Sequence, residues 1–112
     1  MSSSPGASPV QLAGQVGERA LALTGVLELD GGVLGEFSTY GNGQRVRGVL
    51  VRIGAAPRVT VRLIAALGEP LPALAEQLRD RVEDVLPGAR IDVAITDVRR
   101  QAAERPSTGG PS

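Results

Sequence analysis

The sequence predicts an α+β fold, a two-layer sandwich in which two helices cover one face of a mixed β-sheet. Two segments carry apolar residues at intervals of three and four, which is the pattern of amphipathic helices. Three other segments are rich in Val and Ile, which favours strands, and the elements follow the order α-β-β-α-β. Because each strand has one apolar face, both helices are expected on the same side of the sheet.

The chain of 112 residues has room for one domain, and its formal net charge is zero. Residues 1–9 and 101–112 are rich in Ser, Pro, Gly and Ala, so we expect two disordered tails around a single domain at 10–100. No apolar run is long enough to span a membrane, and no signal peptide is predicted. The absence of Cys fits a reducing interior compartment.

The first helix is predicted over residues 10–27, where Gly25 is suited to end a helix. Its apolar stripe consists of Leu12, Val16, Ala20, Leu23 and Leu27. A Gly-rich connection follows, and residues 36–40 leave open an additional short strand. The dipeptide Asn42-Gly43 then favours a hairpin turn with positive φ.

Two strands are predicted at residues 44–53 and 58–66, joined by a hairpin loop. Placing apolar residues opposite one another gives a register that pairs Ile53 with Val59, Val51 with Val61 and Val49 with Leu63. Unbroken alternation beyond this register would bury Arg45 and Arg47. We therefore predict a β-bulge at Gly48, which turns both arginines outward and Val46 inward.

The second helix is predicted to begin near Pro70, because proline is tolerated in the first turn, and to end at Pro87-Gly88. Its apolar stripe consists of Leu71, Leu74, Ala75, Leu78, Val82, Val85 and Leu86. Residues 90–98 form the last predicted strand. Since a helix links this strand to the previous one, the two should run parallel if they share a sheet.

The side chains that most often carry catalysis are missing, because the chain has no His, Cys or Lys. The usual general base, the best nucleophile and the common transition-metal ligands are therefore absent. Asp92 and Asp97 are predicted to lie on opposite faces of the last strand, where they cannot act as a pair. The glycines of residues 31–35 match neither the P-loop nor the dinucleotide fingerprint. We expect a non-enzymatic protein with no cofactor and no metal site.

Five arginines lie between residues 44 and 66, a stretch without any acidic residue. These candidate partner-binding residues are Arg45, Arg47, Arg52, Arg58 and Arg62. With the bulge at Gly48, all five are expected on the sheet face away from the helices. There they are suited to bind phosphates, an anionic lipid or an acidic partner. The competing interpretation is a surface mosaic in which Asp92 and other neighbours neutralise them.

Nucleic-acid binding through this Arg-rich face is the alternative function, since the order of elements partly resembles a KH-like arrangement. Three features argue against it. The net charge is zero, and the Gly-x-x-Gly loop between two helices is missing. The aromatics that stack on bases are limited to Phe37 and Tyr40.

The second half of the chain has a pattern typical of one protein family. It comprises a Val-rich strand at 58–67, the helix start Gly68-Glu69-Pro70-Leu71-Pro72, an amphipathic helix, and a Val-x-Val strand ending in Asp97-Val98. Gly25-Val26 and Val46-Arg47-Gly48-Val49 also fit, whereas Thr24 stands where many members have Pro. Over residues 10–99 the sequence resembles the alkaline shock protein family, envelope stress response proteins of Gram-positive bacteria. The all-Arg composition suggests an actinobacterial member.

This resemblance implies a non-enzymatic cytoplasmic protein connected with envelope stress or homeostasis. Some family members are held at the inner face of the plasma membrane by a separate membrane-anchored protein, and they can self-associate. The expected partners are therefore a protein, with a membrane-anchored one among the candidates, and further copies of the chain in a homo-oligomer. The family has no catalytic motif to carry over to this sequence.

Overall fold

The computed structural model describes residues 7–101, in which it places two helices and six strands. In chain order they are α1 (Pro9–Leu21), β1 (Val26–Leu29), β2 (Ser38–Gly41), β3 (Gln44–Arg47), β4 (Val49–Arg52), β5 (Arg58–Ala66), α2 (Leu71–Val85) and β6 (Arg90–Arg99). The α+β fold predicted from the sequence is confirmed. The short strand left open at 36–40 is present as β2. Most residues of the two predicted tails lie outside the described range.

Helix α1 begins and ends earlier than the sequence predicts. Ser8 caps it by accepting a hydrogen bond from the Gln11 amide, and the Gln11 side chain accepts one from the Ser8 amide. Ser8 and Pro9 therefore belong to the domain and not to the predicted N-terminal tail. The helix ends at Leu21, yet Leu23 remains buried as the chain turns back to the sheet. That burial explains why helical spacing continues past the helix.

The main sheet is built around β5, with β6 parallel to it along its whole length. On the other side of β5, β1 and β4 lie end to end, both antiparallel to it. Where these two strands meet, the Asp30 amide donates to the Arg62 carbonyl, and the Arg62 amide donates to the Gly48 carbonyl, both at 2.8 Å. The predicted mixed sheet and the parallel pairing of its last strand are both confirmed.

Strands β2 and β3 form a separate two-stranded sheet. Its turn contains Asn42 and Gly43, both with positive φ, as the dipeptide predicts. The hairpin lies against the free edge of β4, where the Thr39 hydroxyl donates to the Val49 carbonyl at 2.6 Å. The same hydroxyl accepts a hydrogen bond from the Val51 amide at 3.2 Å. At the edge of β4, hydrogen bonds to the Thr39 side chain thus take the place of backbone pairing with a neighbouring strand.

Both helices cover the same face of the main sheet, as predicted. The core contains Ala13, Val16 and Ala20 from α1, Leu74, Leu78 and Val82 from α2, and Val49, Val59, Val61 and Leu63 from the sheet. The residues that alternate with this row along β5 lie on the opposite face, called the outer face below. Neither helix in residues 7–101 is long and apolar enough to cross a membrane.

The predicted hairpin register is wrong by two residues, although the faces are right. Val49 lies opposite Val61, and Val51 opposite Val59, so the connecting loop is longer than predicted and includes Ile53. A shift of two residues keeps every side chain on its predicted face, which is why alternation alone cannot detect the error.

Pairing with β5 stops at Gly48, which has a φ of +79°. The regular strand is broken at Gly48, but the predicted bulge within one continuous strand is wrong. β3 leaves the main sheet and pairs with β2 instead. Val46 still packs against the core, as predicted.

A bulge in β6 changes the predicted placement of its two aspartates. Ile95 lies opposite Leu63 and Asp97 lies opposite Ile64, which leaves Thr96 as an extra residue. Asp92, opposite Thr60, and Asp97 therefore share the outer face, and the prediction of opposite faces is wrong. Their β5 partners are four residues apart, about 13 Å along the strand, so the two carboxylates still do not form a pair.

Candidate interaction surface

The expectation that all five arginines share one sheet face is wrong, because they fall into two groups on two different sheets. Arg52 and Arg58 lie directly opposite each other on β4 and β5, and Arg62 lies further along the same outer face. Arg45 and Arg47 belong to β3 in the second sheet, on either side of the inward-facing Val46. All except Arg62 are exposed.

Arg62 is engaged within the fold. Its guanidinium carbon lies 3.6 Å from the centroid of the Phe37 ring, a cation–π contact. One of its terminal nitrogens lies 3.8 Å from Asp30. Its Nε atom is buried and has no hydrogen-bond partner among the described residues. Arg62 therefore holds the segment between Asp30 and Phe37 against the sheet, and its guanidinium is poorly placed to bind a partner.

Arg58 forms an ion pair on the outer face with Asp92. Its Nε donates to the carboxylate at 2.9 Å, and Arg90 approaches the same carboxylate at 3.8 Å. The hydrogen bond from Arg58 lowers the pKa of Asp92, and the charges of Arg58 and Arg90 act in the same direction. The competing interpretation, in which acidic neighbours neutralise the arginines, therefore applies to Arg58 and Arg62.

Residues 30–37, called the tip loop below, connect β1 to β2 across the outer face. Asp30 anchors the loop at one end, accepting hydrogen bonds from the Thr96 hydroxyl at 2.7 Å and the Gly32 amide at 3.0 Å. These two bonds, in that order, lower the pKa of Asp30; Arg62 and Arg47 add to the effect and burial opposes it. At the other end, the Phe37 amide donates to the Gly31 carbonyl at 2.9 Å. The base of the loop is therefore ordered.

The end of the tip loop presents two apolar side chains to solvent. Val33 is 98 % exposed and Leu34 is 87 % exposed. The Leu34 amide donates to the Glu36 carboxylate at 2.9 Å, which holds this part of the loop in place. Single exposed apolar residues are common on proteins. An adjacent pair on a hydrogen-bonded loop is more typical of an interaction site.

Arg45 and Arg47 lie along the backbone of this loop. A Cβ atom added to Gly31 would meet Arg47 Nε at 2.8 Å, and one added to Gly35 would meet Arg45 Nη1 at 3.3 Å. The two glycines thus allow both side chains to approach closely. Among residues 7–101, no carboxylate lies within ion-pair distance of Arg45, Arg47 or Arg52.

A groove of about 520 Å³ adjoins the tip loop on the outer side of β4. It is lined by Pro9, Ser38, Thr39, Tyr40, Leu50, Val51, Arg52, Arg58 and Thr60. Tyr40 links the groove to the tip loop, because its hydroxyl donates to the Gly35 carbonyl at 3.2 Å. We call Val33, Leu34, Tyr40, Arg45, Arg47 and Arg52 together the docking surface.

Sequence reasoning missed the apolar half of this surface. The glycines around Val33 and Leu34 predict a flexible or tight connection, and this prediction does not address whether the two apolar residues are exposed. A partial signal of their exposure is present in the sequence, since apolar residues isolated between glycines belong to neither a helical nor a strand period.

Among the described residues, no group of His, Cys, Asp or Glu is arranged to hold a metal ion.

Comparisons with protein-family models, curated proteins and solved structures find no match to this chain. The resemblance to the alkaline shock protein family therefore stays a prediction from the sequence pattern.

Proposed function

We propose that this protein is a non-enzymatic interaction or scaffold protein linked to cell-envelope stress or homeostasis. It acts in the cytoplasm, peripherally at the inner face of the plasma membrane, by docking to a membrane-anchored protein and by self-association. The docking surface supports the docking part of this proposal, because an exposed apolar pair lies there beside arginines that form no ion pair among the described residues.

The chemistry of the docking surface favours an acidic segment of protein as the partner. A guanidinium binds carboxylates in a bidentate manner, and its binding is strongest where no internal carboxylate competes. Burial of Val33 and Leu34 would add an apolar contribution of about 1.5–3 kcal/mol for each side chain fully buried. A partner with apolar residues beside acidic ones would satisfy both features.

Affinity capture from a native lysate that retains its membrane fraction tests this proposal. The bait is the full chain, and we expect one membrane-anchored protein to be enriched. Its purified cytoplasmic segment should then bind the wild-type chain directly. The double variants Val33→Ser/Leu34→Ser and Arg45→Glu/Arg47→Glu should each weaken this binding at least about tenfold, because each removes a whole component of the surface.

The matched control is Arg79→Glu/Arg81→Glu, which makes the same change of charge on exposed residues of α2. This control should bind the partner as the wild type does. Equal loss in both charge variants would show that net charge governs the association, and the docking surface would then have no specific role. Recovery of no envelope protein would remove the docking half of the proposal.

Nucleic-acid binding is the alternative function. The aromatic surface that could stack on bases is small. Arg62 covers the ring of Phe37, which leaves Tyr40 as the one exposed aromatic side chain among the described residues. A gel shift of labelled RNA at physiological ionic strength that is abolished by Tyr40→Ala would favour this alternative over the scaffold function.

A further inference from the structure

The edge of the main sheet formed by β6 is open over the described residues. β6 has ten residues, and it pairs with β5 along one side. No other strand in residues 7–101 pairs with its second side. A long unpaired edge is a template for strand addition unless charge, proline or a covering segment blocks it. The stretch from Ile91 to Ile95 contains one charged residue, Asp92, and no proline.

The hydrogen-bond pattern identifies which backbone groups face outward from this edge. The Arg90 amide donates to the Pro57 carbonyl at 3.0 Å, so the backbone groups of Arg90 point to β5. These groups alternate from residue to residue along a strand in a parallel pair. Those of Ile91, Val93 and Ile95 therefore point away from β5 and are available to a new strand.

The side chains of the same three residues leave an apolar strip at this margin. Ile91, Val93 and Ile95 face the helices and pack against the core, but they are partly buried. Their neighbours in β5, Val59, Val61 and Leu63, are fully buried. One further strand beside β6 would complete the burial of this strip.

We propose that a second copy of this chain adds its own β6 antiparallel to this edge, around a two-fold axis at Val93. This inference rests on the self-association included in the proposed function, and it names the surface that carries it. A two-fold axis produces a closed dimer in which the two main sheets become one continuous sheet. Both copies then satisfy their outward backbone groups.

The bulge at Thr96 determines the register. Regular pairing is possible from Arg90, the first residue of β6, to the bulge, and the midpoint of that stretch is Val93. In this register Val93 lies opposite Val93 of the second copy, and Ile91 lies opposite its Ile95. Both are pairs of β-branched residues, which stabilise antiparallel strands.

The charges agree with the same register. Asp92 lies opposite Ala94 of the second copy, and Arg90 lies opposite its Thr96, so no like charges face each other. Moving the axis to Asp92 would place two carboxylates opposite each other. Moving it to Ala94 would limit regular pairing to residues 92–96, because the bulge at Thr96 ends it. The axis at Val93 therefore gives the longest pairing without a charge conflict.

The oligomeric state of the full chain, measured by sedimentation equilibrium, tests this inference. We expect a concentration-dependent dimer for the wild type and a monomer for Val93→Pro. Proline removes an amide that points outward and leaves the bonds to β5 in place, which is tolerated on an edge strand. Circular dichroism and thermal unfolding show whether the variant is folded.

A charge pair on the outer face tests the register without altering the backbone. Ala94→Asp places a second carboxylate opposite Asp92 of the other copy, twice in each dimer, and should weaken dimerisation about tenfold. Ala94→Lys, at the same site, should retain or strengthen it. Equal behaviour of the two variants would overturn the proposed register.

A single cysteine gives a direct readout, because the chain has no Cys of its own. Val93→Cys places two thiols across the axis with Cα atoms about 5.5 Å apart, within the range that a disulfide bridges. It should form a covalent dimer on mild oxidation. Arg90→Cys, whose two copies would lie about 20 Å apart, should not.

The outcomes separate this inference from the docking proposal. A wild-type chain that stays monomeric at its highest soluble concentration overturns the β6 dimer, as does a dimer unaffected by Val93→Pro and Ala94→Asp. The docking variant Val33→Ser/Leu34→Ser should remain dimeric. If the wild type is monomeric and still captures its membrane-anchored partner, the dimer fails while docking stands.

Discussion

The two edges of the main sheet, at β4 and at β6, are treated in opposite ways. At β4 the second sheet lies against the edge, and the Thr39 hydroxyl bonds both the Val49 carbonyl and the Val51 amide. At β6 no described strand covers the outward groups of a ten-residue strand. The comparison shows that this fold can cover an edge with one short hairpin. The open edge at β6 is the surface on which the proposed dimer rests.

The largest expected effect comes from breaking the turn that brings the hairpin to β4. Gly48 has a φ of +79°, and an added Cβ would lie 2.8 Å from the Asp30 amide nitrogen and 3.0 Å from the Arg62 carbonyl oxygen. Since these are backbone atoms, they cannot move aside without disturbing the sheet. We expect Gly48→Ala to lower the free energy of unfolding in urea by about 3 kcal/mol or more.

Gly14→Ala is the matched control for this substitution. Gly14 lies within α1, and an added Cβ would meet nothing within 4 Å. We expect a gain of up to about 1 kcal/mol, because alanine is the better helix former. A Gly48→Ala protein as stable as the wild type would show that the turn at Gly48 is not required for the covered edge.

An intermediate effect is expected from removing the hydroxyl that covers β4. Thr39→Val keeps the shape of the side chain but leaves the Val49 carbonyl and the Val51 amide without this partner. We expect a loss of about 1–3 kcal/mol in thermal or urea unfolding. Thr39→Ser retains the hydroxyl and should recover most of that loss. A loss in Thr39→Ser with none in Thr39→Val would mean that the methyl group, and not the hydrogen bonds, stabilises this edge.

The smallest effect concerns Asp30, which connects the end of β1 to Thr96 in the bulge of β6. The pKa of Asp30 is lowered, chiefly by the hydrogen bond from Thr96. The resulting stabilisation is complete above the unfolded-state value near 3.8 and is lost as the pH falls through the lower native-state pKa. Asp30→Asn should therefore lose less stability than the wild type between about pH 5 and pH 2.

Urea unfolding of both proteins at several pH values measures this difference. Asp92, whose pKa is also lowered, is present in both proteins, so its contribution cancels in the comparison. Parallel pH profiles for the wild type and Asp30→Asn would contradict a stabilising role of the Asp30 carboxylate.

The parts of the fold predicted correctly are those in which a local pattern has one structural solution. The central residues of the α2 stripe, Leu74, Leu78 and Val82, are buried, as its period of 3.6 requires. The Asn42-Gly43 turn is present because both residues tolerate positive φ. These features depend on the backbone preferences of adjacent residues.

The wrong predictions share a different cause. The register between β4 and β5 is displaced by two residues, which changes no face and is therefore invisible to alternation. The bulge at Thr96 inserts one residue and moves Asp97 to the same face as Asp92. Helical spacing through Leu23 reflects burial by the sheet and does not mark a longer helix.

The candidate site also has some features that the sequence shows and others that only the tertiary structure shows. The clustering of arginines in residues 44–66 is visible in the sequence, and the outward direction of Arg52 and Arg58 follows from alternation. The sequence does not show which arginines form ion pairs, because Asp30 and Asp92 come from distant parts of the chain. The exposure of Val33 and Leu34 likewise depends on how the tip loop is anchored.

The sequence by itself determined the α+β class, the parallel pairing of the last two strands and the interruption at Gly48. Each follows from local periodicity, from glycine's tolerance of positive φ or from the length of a helical crossover. The tertiary structure alone decided the register, the pairing of arginines with carboxylates, and the contrast between the covered edge at β4 and the open edge at β6. Those features depend on contacts between residues far apart in the chain, which no local pattern specifies.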